Sequence, residues 1–314
     1  MNTLSTLYKS FRRLLLPIAF VATICAASAN NNMREWKLAS GDRYQAELVS
    51  YNETEKFVIL RQADQTELRL NYDALSAFDR AWLLEWVEYG DEMHAMLEKL
   101  GGKLTRHIST GKYTLEYSVF QPTLKNPVEG TKPPMMILFH PSGNGHREIM
   151  RYLEAADAVG MTIVSCEYFR NGPPITATQR VPELENDLLA RFNELLPHIE
   201  ANVPHDAKRM FMGGCSGGAW RSFHYAAQVD RPWAGVYSNG GWLGGEIWYD
   251  LPYPKMRVAL VDGNQDPGGS YRDRDTERLQ KAGCKVSIHA FEGGHQIPPP
   301  SVQQKAFRWL LSEE

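Results

Sequence analysis

The residue types best suited to chemistry lie in a glycine-rich run at residues 213–218, between a predicted strand and a predicted helix. Within it, Gly214-x-Ser216-x-Gly218 has the spacing of a sharp strand-to-helix turn that lifts a hydroxyl group above a sheet. Such a turn needs glycine neighbours because its backbone segments pass very close together. The sequence therefore predicts that Ser216 is a nucleophile.

The same run can also be read one residue earlier, with a thiol as the nucleophile. Gly213-x-Cys215-x-Gly217 fits the same spacing, and a thiol is intrinsically more reactive than a hydroxyl. The serine register is favoured because it places Gly218, a small residue, where the helix packs on the strand. In that register Cys215 is predicted to be a small buried residue beside the nucleophile.

A serine hydroxyl needs a general base, because its own pKa leaves almost no alkoxide at neutral pH. His295 directly follows a predicted strand, and the glycines before it free the backbone to bring the imidazole over Ser216. His224 lies on the helix after Ser216 and would point away from the hydroxyl, and His289 lies inside a strand pattern. We therefore predict that His295 is the base and that the other two histidines are structural.

A carboxylate that orients the base should follow the preceding strand, which is predicted at residues 257–261. Asp262 and Asp266 both come after it, and Asp262, at the strand edge, could serve only to cap a turn. Asp273 and Asp275 are typical of a helix start. The carboxylate would hold the imidazole in one tautomer and stabilise its charged form.

These candidates depend on a pattern of alternating strands and helices that begins near residue 112. Strands are predicted at residues 113–120, 135–140, 161–166, 210–212, 235–237, 257–261 and 286–291. Helices are predicted at residues 147–159, 183–202, 219–229, 273–282 and 301–311. This alternation predicts a mainly parallel α/β sheet, in which sites form at the carboxyl ends of the strands.

The motifs resemble those of the α/β-hydrolase family. The glycine-rich strand-to-helix turn at residues 213–219, called the elbow below, resembles that of the family's secreted esterase-like branch. After the elbow come the Gly-x-x-Asp pattern at residues 263–266 and the loop at residues 292–295, called the histidine loop below. This is the order of nucleophile, acid and histidine in the family, so the resemblance covers about residues 112–314. It implies an eight-stranded sheet whose first strands are antiparallel, and acyl transfer through an acyl-enzyme. It favours Asp266 as the acid, with attack by Ser216 and proton transfer by His295.

The family also implies an oxyanion hole with two N–H donors. Gly217, directly after the nucleophile, is expected to supply one of them. The loop after the strand at residues 135–140 begins His140-Pro141-Ser142 and is similar to the family's His-Gly loop, except that Pro141 replaces the glycine. Proline has no N–H, so Ser142 is the predicted second donor.

The N-terminal part of the chain has a different pattern. In residues 34–70, apolar and polar residues alternate in short segments, which predicts a small barrel or curled sheet. A helix is predicted from residue 76 to residue 100, where two glycines follow. Residues 34–90 resemble a small Sla-homology-type β-barrel, on the basis of Arg34-x-Trp36, Gly41, Val58-x-Leu60 and residues 46–49 and 75–79. The resemblance implies a binding or spacer module whose ligand is unknown, with a trailing helix to about residue 101 and the hydrolase domain at residues 103–314.

The first residues are typical of a secretory signal. Three basic side chains precede an apolar run at residues 14–27, which ends in an A-x-A cleavage site at residues 27–29. The run is shorter than the ~20 residues needed to span a bilayer. We therefore predict that residues 1–29 are removed and that the mature protein is secreted or periplasmic, with no stable membrane span.

Composition excludes several classes of protein. A hydrophobic content of 43% argues against wholesale disorder, and a net charge of −3 lacks the basic footprint of a nucleic-acid protein. Four cysteines are too few for a disulfide scaffold, although Cys166 and Cys284 are a conceivable pair. Neither a nucleotide fingerprint nor clustered metal ligands occur, so we expect no cofactor.

The leading hypothesis is a secreted serine esterase with a small-molecule or polymer-derived ester substrate, such as a carbohydrate or polyester derivative. Trp242, in an aromatic-rich loop at residues 240–254, and Tyr168, after another strand, are expected to border the substrate. Packing of these rings is an equally good explanation. The alternatives are a secreted binding or scaffold protein with a relic hydrolase domain, and a hydrolase of the dienelactone type with Cys215 as nucleophile.

Overall fold

The computed structural model describes residues 33–123, 131–141, 145–167, 182–243 and 251–312. The chain divides into two compact units, an N-terminal unit ending at Leu75 and a C-terminal unit beginning at Ser76. This division places the helix that follows Ser76 in the C-terminal unit, whereas the sequence pattern groups it with the small β domain.

The described part of the N-terminal unit is a four-stranded antiparallel sheet whose strands pair in chain order. Its strands are β1 (Arg34–Lys37), β2 (Arg43–Asn52), β3 (Phe57–Gln62) and β4 (Glu67–Asn71). Alternation turns one set of side chains inward, and its fully buried members are Trp36, Ala46, Val58 and Leu60. Leu75, which follows β4, is also fully buried. The small β domain predicted from the sequence is consistent with this sheet, and its Sla-homology character stays a prediction.

The C-terminal unit begins with helix α1 (Ala77–Leu100), which is close to the predicted range. Ser76 caps it, because its side chain accepts a hydrogen bond from the Asp79 backbone N–H. Gly101 ends it in the left-handed conformation, with φ of 74°, that glycine adopts without steric cost.

Within the described residues, eight strands form the sheet of this unit, in the order β12-β11-β10-β9-β7-β8-β6-β5. Strand β6 is antiparallel to both of its neighbours, and the remaining pairs are parallel. The strands are β5 (Lys103–Thr110), β6 (Thr114–Gln121), β7 (Met135–Phe139), β8 (Thr162–Glu167), β9 (Met210–Cys215), β10 (Trp233–Asn239), β11 (Arg257–Gly263) and β12 (Lys285–Phe291). The mainly parallel sheet with antiparallel first strands is thus confirmed.

Strand β5 is absent from the sequence-based expectation, and its residue pattern explains why. Arg106 lies on a buried position of β5 and is neutralised by Glu116 of β6, at an N–O distance of 2.5 Å. A charge where an apolar residue is expected hides the alternation that identifies a strand. Two residues that look exposed in the sequence are therefore an interior pair.

Helices cover both faces of the eight-stranded sheet. They are α2 (Gly145–Ile149), α3 (Leu153–Val159), α4 (Pro182–Asn202), α5 (Gly217–Gln228), α6 (Arg272–Lys281) and α7 (Pro300–Leu311). The helix predicted at residues 147–159 is two helices joined by a 3₁₀ turn at Met150–Tyr152. One core cluster contains side chains of α4, α5 and α6, and the other contains side chains of α1, α2, α3 and α7. The buried strand β7 contributes alternately to each.

Two further findings bear on the sequence-based expectations. Cys166 and Cys284 are buried and are not joined by a disulfide bond, so the conceivable pair does not form. Among the described helices, none is both long and apolar enough to cross a membrane.

Candidate active site

Ser216 occupies a strained turn between β9 and α5. Its φ of 53° and ψ of −121° are those of a backbone position normally held by glycine. A non-glycine residue in such a conformation costs about 1–3 kcal/mol and persists only when its surroundings hold it in place. Here the Ser216 N–H donates to the Asn239 carbonyl at 2.8 Å, and the Ser216 carbonyl accepts from the Trp220 N–H at 3.1 Å. Both bonds tie the turn to neighbouring elements.

The two glycines of the motif are sterically necessary. A Cβ atom on Gly214 or on Gly218 would overlap the backbone carbonyl of Phe139, at the end of β7. A main-chain atom in a central strand cannot yield as a flexible side chain could. The Gly-x-Ser-x-Gly pattern therefore lets β9 and the first turn of α5 lie directly against β7.

Cys215 lies in a different environment from Ser216. It pairs in register with Asn239 as the last residue of β9, so the strained conformation belongs to the serine. Burial raises the pKa of the Cys215 thiol to about 12, and the nearby carboxylates of Glu148 and Asp266 act in the same direction. A thiol with such a pKa is protonated at neutral pH, which disfavours the thiol register.

Asp266 and His295 are joined by a hydrogen bond. The distance from His295 Nδ1 to Asp266 Oδ2 is 2.8 Å, and Asp266 Oδ1 accepts from the Gly268 N–H, also at 2.8 Å. An ionised carboxylate only accepts, so the bond assigns the proton to Nδ1 and leaves Nε2 as the basic nitrogen. The Asp266 side chain is 1% exposed and that of His295 41%, so the acid is enclosed while the imidazole faces solvent.

The segment of Asn239, Gly240 and Gly241 lies between the serine turn and the Asp266–His295 pair. A Cβ atom on Gly240 would lie 2.8 Å from Asp266 Oδ2 and 3.0 Å from His295 Nδ1. A Cβ atom on Gly241 would lie 3.1 Å from the Ser216 carbonyl. Ser216 and His295 thus border the same pair of glycines, where any side chain would crowd its neighbours.

Asp262 is also buried near this site but is not the partner of His295 in the structure. Burial, with a smaller contribution from the Asp266 carboxylate, raises its pKa to about 6. His224 is buried and stacks on Trp220, with ring centroids 5.2 Å apart, and burial lowers its pKa to about 4. His289 packs edge-on against Trp309, at a centroid distance of 6.3 Å. The two histidines predicted to be structural thus have packing roles.

Gly217 is the first residue of α5, and the loop after β7 lies against it. A Cβ atom on Gly217 would be 3.5 Å from Pro141 Cβ. Ser142, the predicted second donor, and Tyr168 lie outside the described residues. Trp242 stacks on Tyr271, with centroids 5.4 Å apart, and its ring would lie 3.6 Å from a Cβ atom on Gly268.

Several side chains around the site escape sequence reasoning. The Asn239 amide donates to the carbonyls of Val261 and Gln296, both at 3.2 Å, and so ties the histidine loop to β11. His140 Nε2 lies 3.0 Å from Glu148 Oε2. Arg221, on α5, forms a buried pair with Glu185. Of these side chains, only Asn239 could have been found from the sequence, because it comes just after the predicted strand at residues 235–237, at the same sheet edge as the other candidates.

Comparison with known proteins finds similarity in fold to solved structures. No protein-family model and no curated protein matches the chain. An S-formylglutathione hydrolase from Agrobacterium tumefaciens is similar in structure, with a TM-score of 0.52, 12% identity, and coverage of 67% of this chain and 95% of that one. An arylesterase gives a TM-score of 0.51 at 11% identity, covering 73% and 93%. A fluorophosphonate-binding serine hydrolase from Staphylococcus aureus gives 0.50 at 12% identity, covering 68% and 99%.

These identities are too low to transfer an activity, but the shared architecture covers nearly the whole of each known chain. In this chain the strained strand-to-helix turn after β9 has the geometry of a nucleophile elbow. The C-terminal unit has the α/β-hydrolase fold.

Proposed function

We propose that this protein is a secreted or periplasmic serine hydrolase that cleaves carboxylic esters with the triad Ser216, His295 and Asp266. One observation carries the proposal: a buried carboxylate bonded to an exposed imidazole, at the same pair of glycines that borders a strained serine. Structural packing alone does not call for this combination of strain, burial and exposure.

The arrangement accounts for each step of ester cleavage. Ser216 Oγ attacks the ester carbonyl carbon while His295 Nε2 takes the hydroxyl proton, and the carbonyl oxygen becomes an oxyanion. Collapse of this intermediate breaks the bond to the alcohol oxygen, which receives the proton from His295. Water then attacks the acyl-Ser216, again with His295 as base, and releases the carboxylic acid and the free serine.

Asp266 would stabilise the imidazolium that forms in each half of the reaction. Its two oxygens already accept hydrogen bonds, from His295 and from the Gly268 N–H, so the carboxylate is held in one orientation. Gly217 would donate its N–H to the oxyanion, and the loop after β7 would supply the second donor, which we assign to Ser142. One such donor contributes about 3 kcal/mol to lowering the barrier.

The substrate we propose is a small or polymer-derived ester with a ring that can stack. Trp242 and Tyr271 support this choice, because they form a stacked aromatic pair beside the acid loop and Tyr271 is 41% exposed. Arg274 lies over the Tyr271 ring at 4.6 Å. Exposed aromatic surface of this kind is suited to sugar or phenyl rings.

The names of the compared structures suggest the first substrates and probe. They include an arylesterase and a hydrolase that binds fluorophosphonates, so aryl esters and a fluorophosphonate are offered to the purified protein. We expect turnover of p-nitrophenyl acetate or butyrate and covalent labelling. Ser216→Ala is expected to lower kcat by at least about 10³-fold and to abolish labelling.

Cys215→Ala is the matched control, because it changes the adjacent residue and leaves the hydroxyl in place. Labelling that survives Ser216→Ala but not Cys215→Ala would move the nucleophile to Cys215. If the wild-type protein neither labels nor turns over esters, the hydrolase proposal is wrong and a binding role is favoured.

Export is the second part of the proposal. It is supported by the basic start, apolar run and A-x-A site in the first residues. N-terminal sequencing of the exported protein is expected to begin at Asn30. Recovery of the chain with its original N-terminus would contradict cleavage.

A further inference from the structure

Arg221 is a buried cation close to the proposed nucleophile. It lies on α5 and is 7% exposed. Its Nε donates to Glu185 Oε2 at 3.1 Å and its Nη2 donates to Glu185 Oε1 at 2.9 Å. This is the two-pronged pairing that the planar guanidinium makes with a carboxylate, and it neutralises a charge that would otherwise be costly to bury.

The third nitrogen of Arg221 reaches the loop after β7. Nη1 donates to the carbonyls of His140 at 3.3 Å and Pro141 at 3.2 Å. It also lies 3.9 Å from where a Cβ atom on Gly217 would be. One guanidinium therefore joins α4, through Glu185, to the loop that lies against the first residue of α5.

Proline limits how the start of this loop can be anchored. Because Pro141 has no N–H, the peptide unit between His140 and Pro141 can be anchored only through the His140 carbonyl. The two carbonyls that Arg221 anchors belong to the residues that directly precede Ser142 in the sequence. The sequence predicts Ser142 as the second oxyanion donor. His140 is held separately, since its Nε2 lies 3.0 Å from Glu148 Oε2.

We propose that Arg221 is a positioning residue: with Glu185 as its fixed partner, it holds the His140–Pro141 backbone against Gly217 and thereby sets the geometry of the oxyanion hole. This inference rests on the proposed esterase function. It predicts that Arg221 supports the tetrahedral intermediate more than the bound substrate, because the oxyanion exists only in the intermediate.

The test compares Arg221→Lys with Arg106→Lys. Lysine keeps the charge but cannot bond Glu185 twice and reach both carbonyls at once. Arg106 is the matched control, because it also forms a buried pair, with Glu116, but on β5 and β6 at the far edge of the sheet. The measurements are kcat and KM for p-nitrophenyl acetate, the affinity for an alkyl boronic acid, which forms a tetrahedral adduct on the serine, and the melting temperature.

For Arg221→Lys we expect kcat to fall about 100-fold with KM changed less than about 3-fold, and boronate affinity to fall by a similar factor to kcat. Arg106→Lys should lower the melting temperature and leave kcat and boronate affinity within about 3-fold of wild type. Glu185→Gln serves if Arg221→Lys does not fold, because it keeps the arginine and removes only the charge of its partner. Its kcat is expected to fall while KM is kept.

Two results would overturn the inference, and they differ from failure of the function. If wild type is active and Arg221→Lys loses no more kcat or boronate affinity than Arg106→Lys, Arg221 is only structural. A fall in kcat with unchanged boronate affinity would also exclude an oxyanion role. If wild type is neither labelled nor active, the proposed function fails and the inference fails with it.

Discussion

Ion pairs chosen from the two units differ in where they place charge, although exposed pairs such as Lys281–Glu277 also occur in the C-terminal unit. In the N-terminal unit, ion pairs such as Arg43–Glu35 and Arg69–Glu55 lie on the surface, with all four side chains at least 47% exposed. In the C-terminal unit, the pairs formed by Arg106 and by Arg221 are buried. Exposed pairs contribute little to stability, whereas a buried pair is costly unless its geometry is well satisfied. Placement inside the protein is therefore the stronger indication of a specific role.

Backbone strain shows the same contrast. Among the described residues, the non-glycine positions with positive φ are Lys56 (52°), Gln65 (71°) and Ser216 (53°). The first two lie in turns between neighbouring strands of the small sheet, where such values are ordinary. Ser216 lies at the carboxyl end of a buried strand and combines positive φ with a ψ of −121°. In the N-terminal unit the positive φ values only reverse the chain between two strands, whereas at Ser216 the strained backbone also projects a side chain at the end of β9.

The largest expected effect comes from adding a methyl group to a glycine in each unit. Gly218→Ala places a Cβ atom on the Phe139 carbonyl, so we expect a loss of about 3 kcal/mol in the free energy of unfolding. Gly41→Ala meets no atom within 4 Å and is penalised only by its φ of 99°, at about 1 kcal/mol. Urea unfolding of both variants measures the difference. Equal losses would show that close packing at the elbow is not special.

A buried and an exposed aspartate should respond to pH with opposite signs. The pKa of Asp262 is raised to about 6, mainly by burial, so its stabilising contribution is present below about pH 4 and is lost as pH rises through about 6. The pKa of Asp64 is lowered, mainly by the Thr66 N–H, so its contribution is present above the ordinary aspartate pKa and is lost as pH falls. Asp262→Asn should therefore stabilise the protein at pH 8 by about 2 kcal/mol and change little at pH 3.5.

Asp64→Asn is the control for that substitution, and it should weaken the protein slightly at pH 8. Urea unfolding at the two pH values measures both variants. A stabilisation by Asp262→Asn that is equal at both pH values would show that the cost does not come from ionisation.

A smaller effect on stability is expected from replacing a positive-φ residue of each unit, Ser216 or Gln65, by glycine. Ser216→Gly relieves strain, and we expect a gain of about 1 kcal/mol in stability together with loss of ester turnover. Gln65→Gly should change stability by less than about 0.5 kcal/mol, because the relief is offset by the greater flexibility of glycine in the unfolded chain. Thermal unfolding of both variants tests this. A Ser216→Gly protein no more stable than wild type would contradict stored strain at the turn.

The sequence predicted features that depend on neighbours along the chain. The end of helix α1 was predicted because Gly101 and Gly102 are a local stop signal, and the turn at Ser216 because its glycines are a steric requirement. Strand β5 was missed because a buried arginine breaks its alternation. Arg221 and Glu185 could not be paired from the sequence, since they lie on different helices and their contact depends on the packing of α4 against α5.

The choice between Asp262 and Asp266 shows a second limit. Asp262 lies near the end of β11 and Asp266 follows that strand, and residue types alone left both open as partners for His295. The structure bonds His295 to Asp266, because the 3₁₀ turn at Pro267–Tyr271 begins at this residue and fixes its carboxylate. The loop conformation, which depends on contacts with β10 and the histidine loop, makes the difference.

The enclosure of Asp266 has a consequence for work in salty surroundings. Mobile ions screen charges over about 30 Å at 0.01 M ionic strength and about 3 Å at 1 M. The Asp266 and His295 atoms are 2.8 Å apart, and the carboxylate is almost inaccessible to solvent, so dissolved ions cannot come between them. The alignment of the imidazole should therefore be nearly independent of ionic strength.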